Sequence, residues 1–207
     1  MKLLIFDLDN TLFDTYGQLG VRVIDDIVRR MKKAGLTPIQ ENEIRRRYSF
    51  TSFRVIAKEL RLSSELSDIG MEAYTDMDLS HITPFPDINV IKGLKQKKVL
   101  VTSGSRDVQL KKVKILKMKD LFDEVIVDEA NSLENKQRIF AELVQKYEVK
   151  PEEVLVIGDN NESEISAGNN LGMVTVQIIR RENMRRASSD YHIKGLQELD
   201  EIIAEMK

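Results

Sequence analysis

Short apolar runs without polar alternation recur along this chain. They begin at residues 2–6 and return in KKVLVTSGS (97–105), FDEVIVDE (122–129), EEVLVIGDN (152–160) and GMVTVQII (172–179). Each is rich in Val, Ile or Leu and breaks into polar or glycine-containing turns. That signature predicts strands buried on both faces, as in a parallel sheet covered by helices. Between the runs the apolar spacing becomes helical, at roughly 106–118 (Val108, Leu110, Val113, Leu116), 135–147 (Ile139, Phe140, Leu143, Val144), 162–171 and 195–206 (Leu196, Leu199, Ile202, Ile203). Strands alternating with helices predict an α/β fold with a Rossmann-like, doubly wound parallel sheet.

One region breaks this rhythm. Residues 14–82 contain no comparable Val/Ile run, but show helical spacing at Val21, Ile24, Ile27, Val28 and Met31, and again at Val55, Ile56 and Leu60. GLTP (35–38) supplies a stop and turn, and HITPFPD (81–87), with two of the four prolines, predicts a stiff extended return to the core. The expected organisation is therefore a catalytic core from residues 1–13 and 83–207, interrupted by a helical insertion over 14–82.

Composition narrows the functional classes. Of 207 residues, 42% are hydrophobic, enough for a real core, and 32% are charged with both signs interspersed. A net charge of −2 provides no global attraction to nucleic acid or to an anionic membrane. The absence of cysteine excludes disulfides, thiolate metal sites and a thiol nucleophile, and suits a reducing compartment. The first apolar run is too short for a signal-peptide core, and no run reaches the ~18 residues needed to cross a bilayer. A cytoplasmic protein without membrane or nucleic-acid partners is expected.

The chemistry concentrates at predicted strand ends. In open α/β sheets ligands bind beyond the carboxyl ends of the strands. The residues there are Asp7 and Asp9 after the first strand, Ser103 and Gly104 after the second, and Gly158, Asp159 and Glu164 around the fourth. Carboxylates so gathered raise one another's pKa or require a cation. An all-oxygen donor set without His or Cys suits Mg²⁺. Residues i and i+2 of an extended segment share a face, so Asp7 and Asp9 can serve one substrate.

In order along the chain, DLDNT, TSGS, the helix-opening Lys136 and GDNNESE resemble the four motifs of the haloacid dehalogenase-like hydrolase superfamily. The resemblance extends over nearly the whole chain, through AGNNLGMVTV (167–176), and includes a helical insertion where that superfamily carries its C1-type cap. It implies a Mg²⁺-dependent phosphatase acting on a small phosphorylated metabolite. Asp7 would be the nucleophile and a metal ligand, and Asp9 the acid and base, with its carbonyl also on the metal. Asp159 and Glu164 would complete the metal site. Thr11 would brace the loop at the phosphate site, and Ser103, the Gly104 N–H and Lys136 would hold phosphoryl oxygens. Two positions depart from the usual pattern: Glu164 stands where aspartate is common, and Lys136 is followed by Gln137 in place of proline. Asp9 argues for phosphoryl transfer over carbon–halogen cleavage. A phosphomutase of the same fold, and a non-catalytic regulatory or binding descendant, share these motifs.

Other features have plainer readings. Arg45, Arg46 and Arg47 are expected on a solvated helix face, with substrate contact as the alternative, and Tyr48, Thr51, Ser52 and Arg54 form a mixed patch suited to a cap surface. Asp14 is either a helix cap or a hinge residue. Arg180 and Arg181 are expected in a solvated loop, with a place bordering the site as the alternative, the basic stretch 184–190 is expected at the surface, and His81 and His192 are expected outside the catalytic set.

Overall fold

A computed structural model describes residues 1–48, 53–182, 184 and 186–206. Thr51, Ser52 and Arg185, named above, lie outside the described residues. In chain order, β1 (Leu3–Phe6) precedes helices α1 (Val21–Lys33), α2 (Pro38–Tyr48), α3 (Phe53–Glu59) and α4 (Ser64–Thr75). There follow α5 (Val90–Gly93), β2 (Lys97–Ser103), α6 (Arg106–Ile115), β3 (Glu124–Asp128), α7 (Leu133–Lys146) and β4 (Val154–Gly158). The chain ends with α8 (Ser166–Asn170), β5 (Val174–Ile178), β6 (Tyr191–Ile193) and α9 (Leu199–Glu205). It divides into two compact units, residues 1–14 with 83–207 and residues 15–82.

The larger unit is a six-stranded, wholly parallel sheet in the order β3-β2-β1-β4-β5-β6. Its order reverses between β1 and β4, which makes the carboxyl ends of those two strands the expected ligand crevice. Every residue of β1 and β4 is buried, in keeping with their unbroken apolar runs. Leu3, Ile5, Val99, Val101, Val154 and Val156 meet Ile139, Phe140 and Leu143 of α7, together with Ala167 and Met173, in one core layer. The sixth strand has no apolar run to announce it. It is three residues long and lies at the edge of the sheet among the described residues.

Two helices differ from their predicted form. The segment expected as a helix over 162–171 is a helical turn at Asn161–Ile165 followed by α8, broken by the non-helical backbone of Ser163. In α6 the buried face carries Val108, Gln109, Lys112 and Val113, whereas Leu110 is 39% exposed. Val108, Val113 and Leu116 of the expected stripe are buried and Leu110 turns outward, while two polar side chains share the inward face.

In the smaller unit, α1 buries Val23, Ile24, Ile27, Val28 and Met31 and leaves Val21 exposed. Ser63 caps α4 by accepting a hydrogen bond from the Leu66 N–H. Arg45 pairs with Asp25 and Glu41, Arg46 with Glu43, and Arg47 with Glu59, so each guanidinium of the run has a carboxylate partner within this unit. His81 bonds the Gln18 carbonyl through Nε2 at 2.9 Å.

Gly70 of α4 lies against α3: a Cβ built there would stand 2.1 Å from the buried Phe53 ring. Gly70→Ala is expected to lower stability, because overpacking costs about 1–3 kcal/mol and outweighs the roughly 1 kcal/mol that alanine adds to a helix. Urea unfolding followed by circular dichroism would measure the loss, and a gain in midpoint would refute the close packing.

Candidate active site

The β1–β4 pairing continues past the end of β1, with the Asp7 N–H donating to the Ile157 carbonyl at 2.9 Å. This sets Asp7 beside Gly158, where β4 ends. The chain then turns back: Leu12 N–H reaches the Leu8 carbonyl and Asn10 N–H the Phe13 carbonyl, both at 2.9 Å. Asn10 takes the left-handed conformation the turn demands, at φ 61°, which asparagine tolerates better than most residues. Thr11, fully buried, donates its hydroxyl to Asp7 Oδ2 at 3.2 Å and so braces the loop.

Carboxylate oxygens of Asp7, Asp159 and Glu164 lie within 4.8 Å of one another. Glu164 folds back over the end of β4, and Gly158 permits this: a Cβ there would come 2.2 Å from Glu164 Cγ. The longer side chain that departs from the family pattern is thereby accommodated. Its Oε1 accepts the Asn160 N–H at 2.6 Å, and its Oε2 faces Lys136 Nζ at 3.5 Å. Lys136 sits in the first turn of α7, a helix capped by Ser132, and is 2% exposed.

Among the described residues, one ammonium pairs with the three carboxylates, which leaves this cluster short of two positive charges. The titration behaviour reflects it. Burial pushes the Asp7 carboxyl well above the usual range, Glu164 and Asp9 add to the rise, and Lys136 only partly opposes it. Asp159 is raised in the same way, by loss of hydration first and by Glu164 and Asp7 next. Burial pulls the Lys136 ammonium down, but Glu164, Asp7 and Asp128 overcome this and raise it. A compact set of hard oxygen donors with an uncompensated double negative charge fits a divalent cation such as Mg²⁺.

Asp9 does not contribute its carboxylate to this cluster. That group faces α6, with Lys112 Nζ 2.7 Å from Oδ1 and Gln109 Nε2 2.9 Å from Oδ2. Ser103 donates its hydroxyl to Asp128 Oδ2 at 3.1 Å. The Gly104 N–H, expected to aim at a phosphoryl oxygen, instead donates to the Asp128 carbonyl at 3.0 Å, because the β2–β3 ladder runs one residue past Ser103.

Three features were missed in the sequence. Asp128, 1% exposed, also accepts from Asn131 N–H at 3.0 Å and Asn135 Nδ2 at 2.5 Å, linking the end of β2 to the start of α7. Its place at the end of a predicted strand was the available signal. For Arg180 a solvated loop was expected ahead of a place bordering the site. Its guanidinium instead donates to the Thr11 carbonyl at 2.9 Å and to both oxygens of Asp87, and stacks 4.1 Å from the Phe85 ring. Arg181 binds Asp14 Oδ1 at 2.5 Å, Asp14 closes the first stretch of the larger unit, and the following turn has no side-chain cap. Gln109 and Lys112 are the third omission, hidden by the expectation that Leu110 faces inward. His192 bonds the Ala187 carbonyl, away from the cluster.

A sequence model described as haloacid dehalogenase-like hydrolase matches residues 4–178. A glyceraldehyde 3-phosphate phosphatase of Methanopyrus kandleri is 30% identical over 87% of this chain and 84% of its own length. The enzyme of the same name from Methanocaldococcus jannaschii is 26% identical over 100% of this chain and 99% of its own. Among solved structures, a HAD phosphatase from Thermococcus onnurineus has a TM-score of 0.70 at 25% identity, covering 98% of both chains. The L-2-haloacid dehalogenase of Xanthobacter autotrophicus shares the fold at a TM-score of 0.60 and 18% identity, over 100% of both chains.

The charge crowding makes a prediction about the metal-free chain. For Asp7 and Asp159 the folded pKa lies above the unfolded one, so the folded state holds its protons longer and their contribution to stability falls as pH rises above about 4. In EDTA, the melting temperature of Asp159→Asn relative to the parent should therefore climb as pH increases from about 4 to 7. A difference that does not change with pH would contradict the crowding.

Proposed function

Because this chain belongs to the haloacid dehalogenase-like hydrolases, we propose that it is a Mg²⁺-dependent phosphatase that works through an aspartyl-phosphate on Asp7. The observation that carries the reading is the juxtaposition of Asp7 with Asp159, Glu164 and Lys136 at the carboxyl ends of β1 and β4. Asp7, Asp159 and Glu164 would hold the cation, with the Asp9 carbonyl as a further donor. When bound, the cation supplies the positive charge that keeps these carboxylates ionised and offsets the charge of the phosphoryl group.

In this reading one oxygen of Asp7 attacks phosphorus, and the bond to the ester oxygen breaks with its electron pair on the departing alkoxide. Asp9 gives that alkoxide a proton. The Asp9 carboxylate then takes a proton from water as the water oxygen attacks the aspartyl-phosphate, releasing inorganic phosphate and regenerating Asp7. Lys136 and the rotatable Ser103 hydroxyl are the donors assigned to the phosphoryl oxygens, where fixed positive charge and hydrogen bonds act most strongly in a site that excludes water. Thr11 keeps Asp7 in its orientation. Residues 15–82 serve as the helical cap that selects the substrate.

The named activity of relatives at 26–30% identity, covered over 84–99% of their length, favours glyceraldehyde 3-phosphate or a phosphomonoester of similar size. It also favours hydrolysis over mutase chemistry. The proposal is tested with glyceraldehyde 3-phosphate, other small phosphomonoesters and p-nitrophenyl phosphate. Turnover should require Mg²⁺, stop in EDTA and return on adding the metal back. Asp7→Asn should lose more than about a thousandfold in kcat, as expected when a nucleophile is removed. An Asp7→Asn variant with parental turnover would overturn the nucleophile assignment.

A further inference from the structure

Helix α6 grips Asp9 by both oxygens. Lys112 takes Oδ1 at 2.7 Å and Gln109 takes Oδ2 at 2.9 Å. The same Gln109 nitrogen donates to the Ser103 carbonyl at 2.6 Å, so one amide joins the β1 loop to the end of β2. Both side chains are 1% exposed, and the Lys112 ammonium lies 5.5 Å from the centre of the Phe13 ring. An ammonium and an amide on the buried face of a helix are costly unless paired, and an apolar pair would pack α6 against the sheet at lower cost.

Details of the pairing point to Asp9 as its purpose. Gln109 Oε1 is buried without a hydrogen-bond partner among the described residues, whereas its Nε2 makes two bonds. A glutamine serving only to fill the core would satisfy its acceptor as well. Gly104, at φ +137°, leaves room for the amide: a Cβ there would stand 3.0 Å from Gln109 Nε2. Positions 109 and 112 are neighbours on one helix face, so the two donors move as one rigid unit.

We propose that Gln109 and Lys112 are positioning residues that fix the plane of the Asp9 carboxylate, and thereby hold the acid and base of the reaction in register with the substrate. The inference rests on the acid and base reading of Asp9 above. A carboxylate held by one oxygen still turns about its Cβ–Cγ bond. Donors on both oxygens remove that freedom, and correct orientation of a catalytic group is worth large factors in rate.

The test uses Lys112→Met and Gln109→Met, both close to the native shape, in the full chain with Mg²⁺. The measured quantity is kcat/KM, which reads only the steps up to release of the alcohol. Glyceraldehyde 3-phosphate has an alkoxide leaving group that needs a proton, whereas p-nitrophenolate leaves without one. Each variant should lose about 10–100-fold in kcat/KM on the alkyl ester, the range typical for removal of a group that orients a site residue, and less than about threefold on the aryl ester. Retained aryl activity shows that the variant is folded. In an Asp9→Asn background neither change should lower kcat/KM on the alkyl ester further, since there is no acid left to orient. Equal losses on both esters, or losses that multiply with Asp9→Asn, would show a merely structural role and overturn the proposal. A large loss for Asp9→Asn alongside parental rates for both methionine variants would overturn the positioning role alone. Parental turnover of the alkyl ester by Asp9→Asn would overturn the acid and base reading itself, and the proposal with it.

Discussion

The structure is organised around an excess of buried negative charge where β1 and β4 end. Asp7, Asp159 and Glu164 crowd together with Lys136 as the one cation paired to them among the described residues, and burial makes that imbalance expensive. A fold tolerates such a cluster only if the surrounding backbone holds it rigidly and a cation or proton relieves it. The parallel register supplies the rigidity, since the Asp7 N–H is tied to Ile157 and the strand pair is buried throughout. Gly158 supplies the space, because Glu164 lies where any side chain at that position would be.

Around this cluster stand two further layers of polar contacts. Asp128 collects Ser103, Asn131 and Asn135, so the serine after β2 and the start of the helix that carries Lys136 share one anchor. Arg180 collects the Thr11 carbonyl, Asp87 and Phe85, and Asp87 in turn accepts the Leu196 N–H. The segment leaving β1 and the segment returning at Phe85 are also paired directly, with Phe85 N–H on the Leu12 carbonyl. The loop that holds Asp7 is thus fixed from below by the sheet and from the side by an arginine that follows β5.

Much of this was readable in the chain. Five strands of a doubly wound sheet follow from apolar runs separated by helical spacing, because a strand covered on both faces is predominantly apolar. The acidic residues at the ends of those runs were readable for the same reason: polar residues at strand ends of a parallel sheet converge. What escaped was polar burial. Lys112 and Gln109 look like surface residues in a stretch reading QLKK, and Arg180 looks like part of a basic loop. Each is inside because polar partners distant in sequence are there to satisfy it. Val21 and Leu110 failed in the opposite sense, as apolar residues that fit a helical stripe yet face outward. The three-residue β6 has too short a pattern to declare itself.

The sequence by itself determined the α/β class, the helical insertion, and the residues brought to the switch point, since these depend on hydrophobic periodicity and on the order of strand ends. Only the tertiary structure decided which charges answer one another. Lys136 faces Glu164, Lys112 faces Asp9, and Ser103 with Gly104 faces Asp128. Hydrophobic burial is non-directional and is written in local pattern, whereas a buried charge is stable only against a partner at hydrogen-bonding distance. Asp9 and Lys112 are 103 positions apart, and no local pattern encodes that proximity.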